Sequence, residues 1–343
     1  MLIQTSTENM PAVYQIAGFL FAILNLMKNT HPSITIFGLG RMGTQIARRL
    51  HKADFAVHAW NRSSEPVSEI KKSGIWATSD LDEAVKIHSQ SPRIFWVMLP
   101  HAFTEEFIFS EKYLGKHLKK GDIVIDGGNS YYKESVRRGA LLAKEGIHFF
   151  DSGTSGGVWG EKNGFALMIG GPKAKWSIVE PIFKALSAGD NYAYLGTTGA
   201  GHFTKMVHNG IEYGMMEAIG EGYAVLEASP FKLNLADVTR VYQKGSVVRS
   251  WLIDLCANIF ADEDIKNTSG KIDSNGEAEW TIKTAKEFGI DVRVIEESLK
   301  VRTESIDPKN QQKYSNKIVA LLRKQFGGHA IHEKVSEKAK SRK

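Results

Sequence analysis

Cysteine is nearly absent from this sequence, since its 343 residues contain a single one, Cys256. One cysteine cannot close a disulfide within the chain, and it cannot build a structural zinc site of several cysteines. A chain without disulfides suits a reducing compartment. We therefore expect a cytoplasmic protein in which Cys256 is a buried, inert thiol.

A hydrophobic run long enough to cross a bilayer is also missing. The most apolar stretch, residues 12–27, is shorter than the roughly 20 residues that a spanning helix needs. It also lacks the basic start and the small-residue cleavage site of a signal peptide. A signal peptide, an anchor, a buried helix and a misassigned start codon are the alternatives. We favour a start at Met27, treat residues 1–30 as an N-terminal extension and expect no membrane partner.

Charge of one sign is not concentrated in the body of the sequence. The net charge is +6, and residues 330–343 hold five Lys or Arg against two Glu, so half of the excess lies in a short terminal run. No segment of the sequence interleaves basic and aromatic residues as nucleic-acid-binding motifs do. We expect no nucleic-acid partner, and the mild positive bias suits an anionic small-molecule substrate and cofactor.

Short β-branched runs alternate with helical segments from residue 31 to residue 199, whereas long helical stretches follow. The runs are ITIFG, FAVHAW, RIFWVML, DIVIDGG, HFFDSG and FALMIGG. Such alternation is typical of a parallel sheet covered by helices. The sequence therefore predicts an α/β Rossmann-like domain, with a parallel-rich sheet and helices on both faces, at residues 31–199. A compact all-α domain is predicted at residues 200–331 and a basic tail at residues 332–343.

The first predicted strand ends in a glycine-rich turn, Gly38-Leu39-Gly40-Arg41-Met42-Gly43, and a helix follows. In this context the first glycine permits the turn, the second lets the backbone approach a pyrophosphate, and the third lets helix and strand pack closely. The helix N-terminus also favours an anion. The turn therefore predicts a dinucleotide cofactor.

The second predicted strand lacks an acidic residue at its end, where NAD-binding domains place one on the ribose hydroxyls. Asn61, Arg62 and Ser63 stand there instead, and the guanidinium of Arg62 suits a 2′-phosphate. The sequence thus favours NADP, with NAD as the alternative. The predicted cofactor residues are Gly38, Leu39, Gly40, Arg41, Met42, Gly43, Asn61, Arg62, Ser63, Leu99 and Asn129.

A polar stripe marks the helix that opens the second predicted domain. Lys205, His208, Asn209 and Glu212 fall within an arc of about 100° at helical spacing, while their neighbours are largely apolar. A buried stripe of this kind must have partners, and buried Lys and Glu have tunable pKa values, as general acid–base catalysis needs. From this helix alone, a catalytic pair and a structural Lys–Glu pair are equally good interpretations.

Two glycine-rich loops follow predicted strands, at residues 126–130 and at residues 152–160. In open α/β sheets, ligands bind outside the carboxyl ends of the strands. We therefore expect Asn129 and Ser155 to lie near the nicotinamide end of the cofactor and near a substrate beside it.

Together, the segments GLGRMG, IDGGNSYY, DSGTSGGVWG and KMVHNGIEYGMM resemble the decarboxylating 6-phosphogluconate dehydrogenases. The resemblance runs from about residue 33 to residue 331, and GSVVRSWL and LRKQFGGH are similar to the short bacterial-type form. It implies that 6-phosphogluconate is oxidised and decarboxylated to ribulose 5-phosphate and carbon dioxide, in the oxidative pentose phosphate pathway. It also implies that NADP or NAD is reduced and that no metal is needed.

The resemblance further implies the roles of individual residues. Lys205 matches the family's general base, which takes the C3 hydroxyl proton, and Glu212 matches its general acid, which protonates the enediol. Tyr213 and Arg302 match phosphate-binding positions, while Arg323 and His329 match a tail that enters the neighbouring subunit's site and so implies a homodimer or homotetramer. The residues that match substrate-binding positions are Asn129, Ser155, Gly156, Gly157, His208, Asn209, Tyr213, Arg302, Arg323 and His329.

One segment departs from the family pattern. Where short forms usually read Gly-Glu-Gly-Arg-Trp, this chain has GEAEW at residues 276–280, and Asn275 stands where many long forms have lysine. Glu279 beside a bound phosphate would be unfavourable. We therefore expect either that Glu279 points away from the substrate or that the affinity for phosphate is lowered.

Two other interpretations stay open. A β-hydroxyacid dehydrogenase acting on a small 3-hydroxy acid would share the fold, the glycine-rich turn and the helix lysine, but it would not need Glu212 as a second acid. A catalytically altered scaffold protein is motivated by Glu279 and by the unusual N-terminus. The presence of both Lys205 and Glu212 argues against the altered scaffold.

Overall fold

The computed structural model describes residues 32–88, 91–273 and 276–331. The predictions for the N-terminal extension, for the basic tail and for Asn275 lie outside these residues. Within them, an eight-stranded sheet has the order β3-β2-β1-β4-β5-β6-β7-β8. Its strands are β1 (Ile34–Phe37), β2 (Val57–Trp60), β3 (Trp76–Thr78), β4 (Ile94–Val97), β5 (Ile123–Asp126), β6 (His148–Ser155), β7 (Phe165–Gly170) and β8 (Ser187–Gly196).

Helices connect the strands of the sheet, and after β8 the described chain is helical. The helices between strands are α1 (Arg41–Lys52), α2 (Ser64–Lys71), α3 (Leu81–Lys86), α4 (His101–Phe109), α5 (Tyr132–Lys144), α6 (Gly160–Asn163) and α7 (Trp176–Leu186). The helices after β8 are α8 (Ala200–Glu227), α9 (Leu235–Gln243), α10 (Trp251–Asp262), α11 (Glu277–Glu287), α12 (Arg293–Glu304) and α13 (Tyr314–Gly327). Across the described residues, every helix is too short or too polar to cross a lipid bilayer.

The central strands are buried on both faces, which explains why they read as nearly continuous apolar runs. Ile34 and Ile36 of β1 belong to one hydrophobic cluster, whereas Phe37 belongs to the cluster on the opposite face. In β4, Trp96 and Phe95 divide between the two clusters in the same way. Side chains that alternate along a strand thus fill two cores, one under each layer of helices.

The predicted fold class, with its parallel-rich sheet, is confirmed, and the structure adds two strands. Neighbouring strands run parallel except β6 and β7, which pair antiparallel. The two edge strands, β3 and β8, were not predicted. β3 has three residues and begins with an exposed Trp76, and half of the positions in β8 are exposed. Neither strand therefore shows the apolar run that revealed the others.

The start of α8 is fastened to the sheet by Asp151 of β6. Its carboxylate accepts hydrogen bonds from the backbone N–H groups of Gly199, over 2.6 Å, and His202, over 2.8 Å. These amides begin a helix and have no intrahelical acceptor. A Cβ on Gly201 would lie 2.4 Å from the carbonyl oxygen of Met168, so the helix backbone rests directly on β7. The sheet thereby fixes where the polar stripe of α8 begins.

A third hydrophobic cluster fills the helical region. It joins α8, α10 and α13 through side chains such as Met216, Cys256 and Leu321, all fully buried. Burial raises the pKa of the Cys256 thiol to about 12, so the thiolate that would react is disfavoured. The structure agrees with the prediction that this cysteine is buried.

Candidate active site

In the glycine-rich turn between β1 and α1, a side chain would have room at Gly40 but not at Gly38 or Gly43. Gly38 has a φ of +100°, and a Cβ there would lie 2.4 Å from the carbonyl oxygen of Met98. A Cβ on Gly43 would lie 1.9 Å from the carbonyl oxygen of Gly38. A Cβ on Gly40, by contrast, would meet no described atom within 4 Å. The open space at Gly40, in front of the first amides of α1, fits a pyrophosphate.

The residues at the end of β2 contact the glycine-rich turn through one side chain and are otherwise exposed to solvent. Asn61 Oδ1 accepts a hydrogen bond from the backbone N–H of Leu39 over 3.0 Å, and Asn61 Nδ2 donates to the carbonyl of Ser63 over 3.2 Å. The Asn61 side chain thus holds the turn, and its contact with the cofactor stays a prediction. Arg62 and Ser63 are exposed. Leu99 packs on the turn, 2.9 Å from where a Cβ of Gly38 would lie.

A cavity of about 770 Å³ opens between the carboxyl edge of the sheet and α8. It brings together every residue that the sequence analysis assigned to catalysis or to substrate binding, and three of the cofactor residues. These are Arg41, Met42, Asn129, Ser155, Gly156, Gly157, Lys205, His208, Asn209, Glu212, Tyr213, Arg302, Arg323 and His329. The other predicted cofactor residues do not line this cavity. They belong to the glycine-rich turn and to the end of β2, and the last of them is Leu99.

The polar stripe of α8 forms a connected group, as its helical spacing predicts. Lys205 Nζ donates a hydrogen bond to Asn209 Oδ1 over 2.7 Å and lies 3.3 Å from His208 Nδ1. The same ring nitrogen of His208 is 3.7 Å from the carboxylate of Glu212. On its other side, His208 Nε2 lies 3.3 Å from the hydroxyl of Ser155 on β6. The stripe is therefore linked along the helix and across to the sheet.

Electrostatics make the lysine of this group easier to deprotonate. Burial lowers the pKa of Lys205, and the carboxylates of Glu212 and Glu277 act in the opposite direction. The pKa of His208 is lowered first by burial and then by the positive charge of Lys205. A lysine whose pKa is lowered can accept a proton near neutral pH, as a general base must.

The loop after β5 is shaped by a buried carboxylate. Asp126 Oδ1 accepts a hydrogen bond from the N–H of Gly128 over 3.1 Å, and Asp126 Oδ2 accepts from the Ser130 hydroxyl over 2.8 Å. Arg138 of α5 lies 3.3 Å from the same carboxylate and balances its charge. Asn129, between the two anchored residues, lines the cavity. The expectation that this loop presents Asn129 at the strand end agrees with the structure.

Two buried arginines, Arg302 and Arg323, line the same cavity. Arg302 is 1% exposed, and its guanidinium lies 3.2 Å from the centre of the Tyr213 ring. Arg323 is 6% exposed, and burial followed by the charge of Arg302 lowers its pKa. Glu217 lies 3.7 Å from Arg302, and burial raises the pKa of this carboxyl to about 7. Two buried cations in one cavity, one of which acts on the pKa of the other, fit a doubly charged anion such as a phosphate.

Comparison with known protein families accounts for most of the chain. Residues 33–197 match the family described as the NAD binding domain of 6-phosphogluconate dehydrogenase, and residues 201–341 match the 6-phosphogluconate dehydrogenase C-terminal domain. This chain belongs to the 6-phosphogluconate dehydrogenase family.

Relatives within the family differ in length and in cofactor. YqeC of Bacillus subtilis, provisionally named a 6-phosphogluconate dehydrogenase, is 41% identical over 88% of this chain and 99% of its own length. An NAD-dependent decarboxylating 6-phosphogluconate dehydrogenase of Haloferax volcanii is 34% identical over 87% of this chain and 98% of its own length. An NADP-dependent form from Bacillus subtilis is 36% identical, but the match spans 60% of its length. This chain thus has the length of the shorter relatives.

Solved structures agree with this family assignment. The 6-phosphogluconate dehydrogenase of Plasmodium falciparum superposes with a TM-score of 0.74 at 29% identity, over 81% of this chain and 62% of that one. A 3-hydroxyisobutyrate dehydrogenase of Salmonella typhimurium reaches a TM-score of 0.68 at 17% identity, over 84% of this chain and 99% of that one. The second likeness shows a shared fold alone.

The C-terminal segment of this 6-phosphogluconate dehydrogenase homologue, residues 323–329, lies across its own cavity. Arg41 of the glycine-rich turn donates a hydrogen bond to the carbonyl of Gly327, and both Arg323 and His329 line the cavity. Burial and then the charges of Arg323 and Arg41 lower the pKa of His329 to about 4. In the structure this segment lines the cavity of the chain that carries it, and its service to a neighbouring subunit, which the resemblance implies, stays a prediction.

The departure from the family pattern at residues 276–280 involves a different carboxylate from the one expected. Glu279 is exposed on the outer face of α11, away from the cavity, whereas Glu277 is 7% exposed and lines it. Of the two alternatives, the first is therefore correct, because Glu279 points away. Residues two apart on a helix point about 200° apart. Glu277 and Glu279 therefore cannot share a face, and helix spacing is the signal that could have identified Glu277. Glu217 of α8, which is buried beside Arg302, was also not predicted.

Proposed function

We propose that this protein oxidises and decarboxylates 6-phosphogluconate, giving ribulose 5-phosphate and carbon dioxide while a nicotinamide cofactor is reduced. One observation carries the proposal: a single cavity holds a lysine of lowered pKa, a second carboxyl group and two buried arginines. The oxidation needs the lysine, the protonation of the enediol after carbon dioxide has left needs the carboxyl group of Glu212, and binding of the phosphate needs the arginines. Membership of the family supports the same reaction.

The substrate spans the cavity from the arginines to the loops at the sheet edge. Arg302, Arg323 and Tyr213 bind its phosphate, and His329 gains affinity for a proton when that anion arrives. The sugar carboxylate and hydroxyls face the residues at the opposite end, where amide, hydroxyl and backbone groups can donate hydrogen bonds. These residues are Asn129, Ser155, Gly156, Gly157, His208 and Asn209.

The first step is an oxidation at C3. Neutral Lys205 takes the proton of the C3 hydroxyl while the hydrogen on C3 leaves with its electron pair. The bound nicotinamide supplies the acceptor for that hydride. Lys205 is then an ammonium beside a 3-keto acid, in the position where negative charge develops next.

The second step breaks the bond between C1 and C2. Carbon dioxide leaves, the bond electrons form an enediolate between C2 and C3, and the Lys205 ammonium returns its proton to the oxygen on C3. Glu212, in its protonated form, then donates a proton to the former C2, which becomes C1 of ribulose 5-phosphate. Neutral Lys205 takes back the proton from the oxygen on C3 in the same step, so that this oxygen becomes the carbonyl of the product. Each of these two residues thereby has a separate proton to move.

NADP is the proposed cofactor. Arg62 is an exposed cation at the end of β2, where a 2′-phosphate would lie, and the three residues there include no carboxylate to repel it. The amide of Asn61 supports the turn beside this position. Since the relatives include both an NAD-dependent and an NADP-dependent form, this preference rests on Arg62.

The proposed assembly is a homodimer or homotetramer in the cytoplasm. Exposed apolar side chains in the helical region support an interface between copies, and they include Val225 at 73%, Phe231 at 77% and Val294 at 71% exposure. Because the segment at residues 323–329 comes late in the chain, two copies could exchange it and keep the same contacts. Sedimentation equilibrium measures the number of copies.

Initial rates with separate NADP and NAD, on 6-phosphogluconate and on unphosphorylated gluconate without added metal, test the proposal. We expect turnover on the phosphorylated acid and one carbon dioxide released for each cofactor reduced. A Lys205→Met variant should bind the substrate but turn over at least about 10²-fold more slowly. Cofactor reduction without carbon dioxide would indicate a β-hydroxyacid dehydrogenase, and absence of turnover with either cofactor would overturn the proposal.

A further inference from the structure

One carboxylate in the cavity has no part in the reaction proposed above. Glu277 is the first residue of α11, is 7% exposed and lines the cavity that also holds Lys205. The side-chain nitrogen of Asn209 donates a hydrogen bond to Glu277 Oε2. The residues predicted from the sequence do not include it.

Lys205, Asn209 and Glu277 are linked in series. Lys205 Nζ donates to Asn209 Oδ1 over 2.7 Å, and Nδ2 of the same amide donates to Glu277. An ionised carboxylate only accepts hydrogen bonds. Glu277 therefore requires the amide nitrogen of Asn209 to face α11, which leaves the amide oxygen facing Lys205. With one N–H of Lys205 held in this way, the directions open to its lone pair are restricted.

The two helices that carry these residues are packed closely enough to keep the geometry. Thr281 Oγ1, one turn after Glu277, donates a hydrogen bond to the carbonyl of Met206 on α8 over 2.7 Å. A Cβ on Gly210 would lie 2.9 Å from the Thr281 methyl group. The start of α11 is thus fixed against the stretch of α8 that contains Lys205.

The charge of Glu277 also acts on the lysine. The charged or titratable groups around Lys205 are His208 and Glu212 on its own helix and Glu277 on α11, and the two carboxylates raise its pKa against the effect of burial. Burial raises the pKa of Glu277, and Lys205 opposes this more than any other group does. Arg302 of α12 acts on Glu277 in the same sense as Lys205.

We propose that Glu277 is a positioning residue for the reaction: it orients the Asn209 amide, and through it Lys205 Nζ, towards the substrate, and it supplies a negative charge opposite the ammonium. This inference rests on the proposed function, because it concerns the same lysine. Glu277 touches Asn209 and acts on Lys205 through it.

Two substitutions separate the hydrogen bond from the charge. Glu277→Gln keeps an oxygen that can accept from Asn209 and removes the charge, whereas Glu277→Ala removes both. Glu279→Gln is the matched control, since it makes the same chemical change two residues away on the exposed face of the same helix. Thermal unfolding of each variant shows whether it folds.

Chemical labelling of Lys205 reports its protonation without any turnover. The rate of Lys205 acetylation by acetic anhydride is followed against pH by peptide mass spectrometry. In Glu277→Gln we expect the midpoint to fall by about 1 pH unit or more, and in Glu279→Gln we expect no shift. In kinetics on 6-phosphogluconate, Glu277→Ala should lower kcat by roughly 10- to 100-fold with little change in KM. Glu277→Gln should recover much of that loss.

The outcomes distinguish this inference from the proposed function. If the wild type turns over 6-phosphogluconate but Glu277→Gln leaves the labelling midpoint unchanged, the role of Glu277 is refuted. A Glu277→Ala enzyme with the kcat of the wild type would refute the orienting contact. If the wild type does not turn over 6-phosphogluconate but the midpoint shifts in Glu277→Gln, the contact stands and the proposed function fails. Should Glu277→Ala not fold, the labelling of Glu277→Gln alone decides.

Discussion

Replacing Gly40 with alanine should abolish tight cofactor binding while leaving the fold intact. In the structure, the added Cβ meets no described atom within 4 Å, and the φ of −71° at Gly40 suits alanine. Two small effects on stability have opposite signs, because alanine is a poorer helix cap than glycine but restricts the unfolded chain. We therefore expect a melting temperature within about 2 °C of the wild type.

The cofactor should bind more weakly because the added methyl group occupies the space that we assign to its pyrophosphate. A pyrophosphate pushed away from the first amides of α1 loses hydrogen bonds to a charged group, each contributing about 1.5–3 kcal/mol. Each lost bond weakens binding by roughly 10- to 150-fold. Isothermal titration calorimetry with NADP measures this loss directly, and circular dichroism measures the melting temperature.

Gly43→Ala is the contrasting variant. Its Cβ would lie 1.9 Å from the carbonyl oxygen of Gly38, where Cβ atoms essentially never approach within 3.0 Å. The first turn of α1 must therefore move, and forcing an extra methyl into a packed site costs about 1–3 kcal/mol. We expect this variant to melt several degrees lower. An unchanged NADP affinity in Gly40→Ala, or an undiminished stability in Gly43→Ala, would refute the assignment of the two glycines.

Further expectations concern the cofactor, the substrate, the acid and the response to pH. Arg62→Ala should raise KM for NADP by about 10-fold or more and leave KM for NAD unchanged in steady-state assays. Arg302→Met should raise KM for 6-phosphogluconate by about 10²-fold or more without affecting Kd for NADP. Glu212→Gln should lower kcat by about 10²- to 10⁴-fold, as single-turnover and steady-state rates will show. Burial, followed by the charges of His58 and Arg93, lowers the pKa of His88 from 6.5 to about 4. The unfolded chain therefore binds more protons between these values, and stability falls as pH drops through that window. Melting temperatures recorded from pH 7 to pH 4 should fall less steeply in His88→Gln.

The features predicted correctly from the sequence are those that depend on nearby residues. Lys205 and Asn209 share a face because four residues complete about one helical turn, and their contact over 2.7 Å follows. The glycine-rich turn likewise needs only a strand before it and a helix after it. In both cases the local spacing fixes the geometry before any packing between distant elements is known.

The features that the sequence did not reveal depend on packing between distant elements. Glu277 faces Asn209, 68 residues earlier in the chain, only because α11 packs on α8. The departure from the family pattern drew attention to Glu279 instead, whereas the phase of α11 places Glu277 in the cavity and Glu279 outside it. The presence of both Arg302 and Arg323 in the substrate site was inferred from the family resemblance, since no local pattern in the sequence brings α12 and α13 together. β8 was missed because an edge strand with exposed side chains carries little apolar signal.

The cavity is completed late in synthesis, because the segment at residues 323–329 lies near the end of the chain. During synthesis, the sheet, the glycine-rich turn and α8 leave the ribosome before this segment does. It then anchors back on the sheet region, where Trp159 Nε1 donates a hydrogen bond to the carbonyl of Gln325 over 2.9 Å. A nascent or prematurely terminated chain that ends before α13 therefore has its cofactor turn and its lysine but not Arg323. Such a chain also lacks Leu321 and the rest of the α13 side chains in the core of the helical region, so the last elements to be synthesised complete both that core and the cavity.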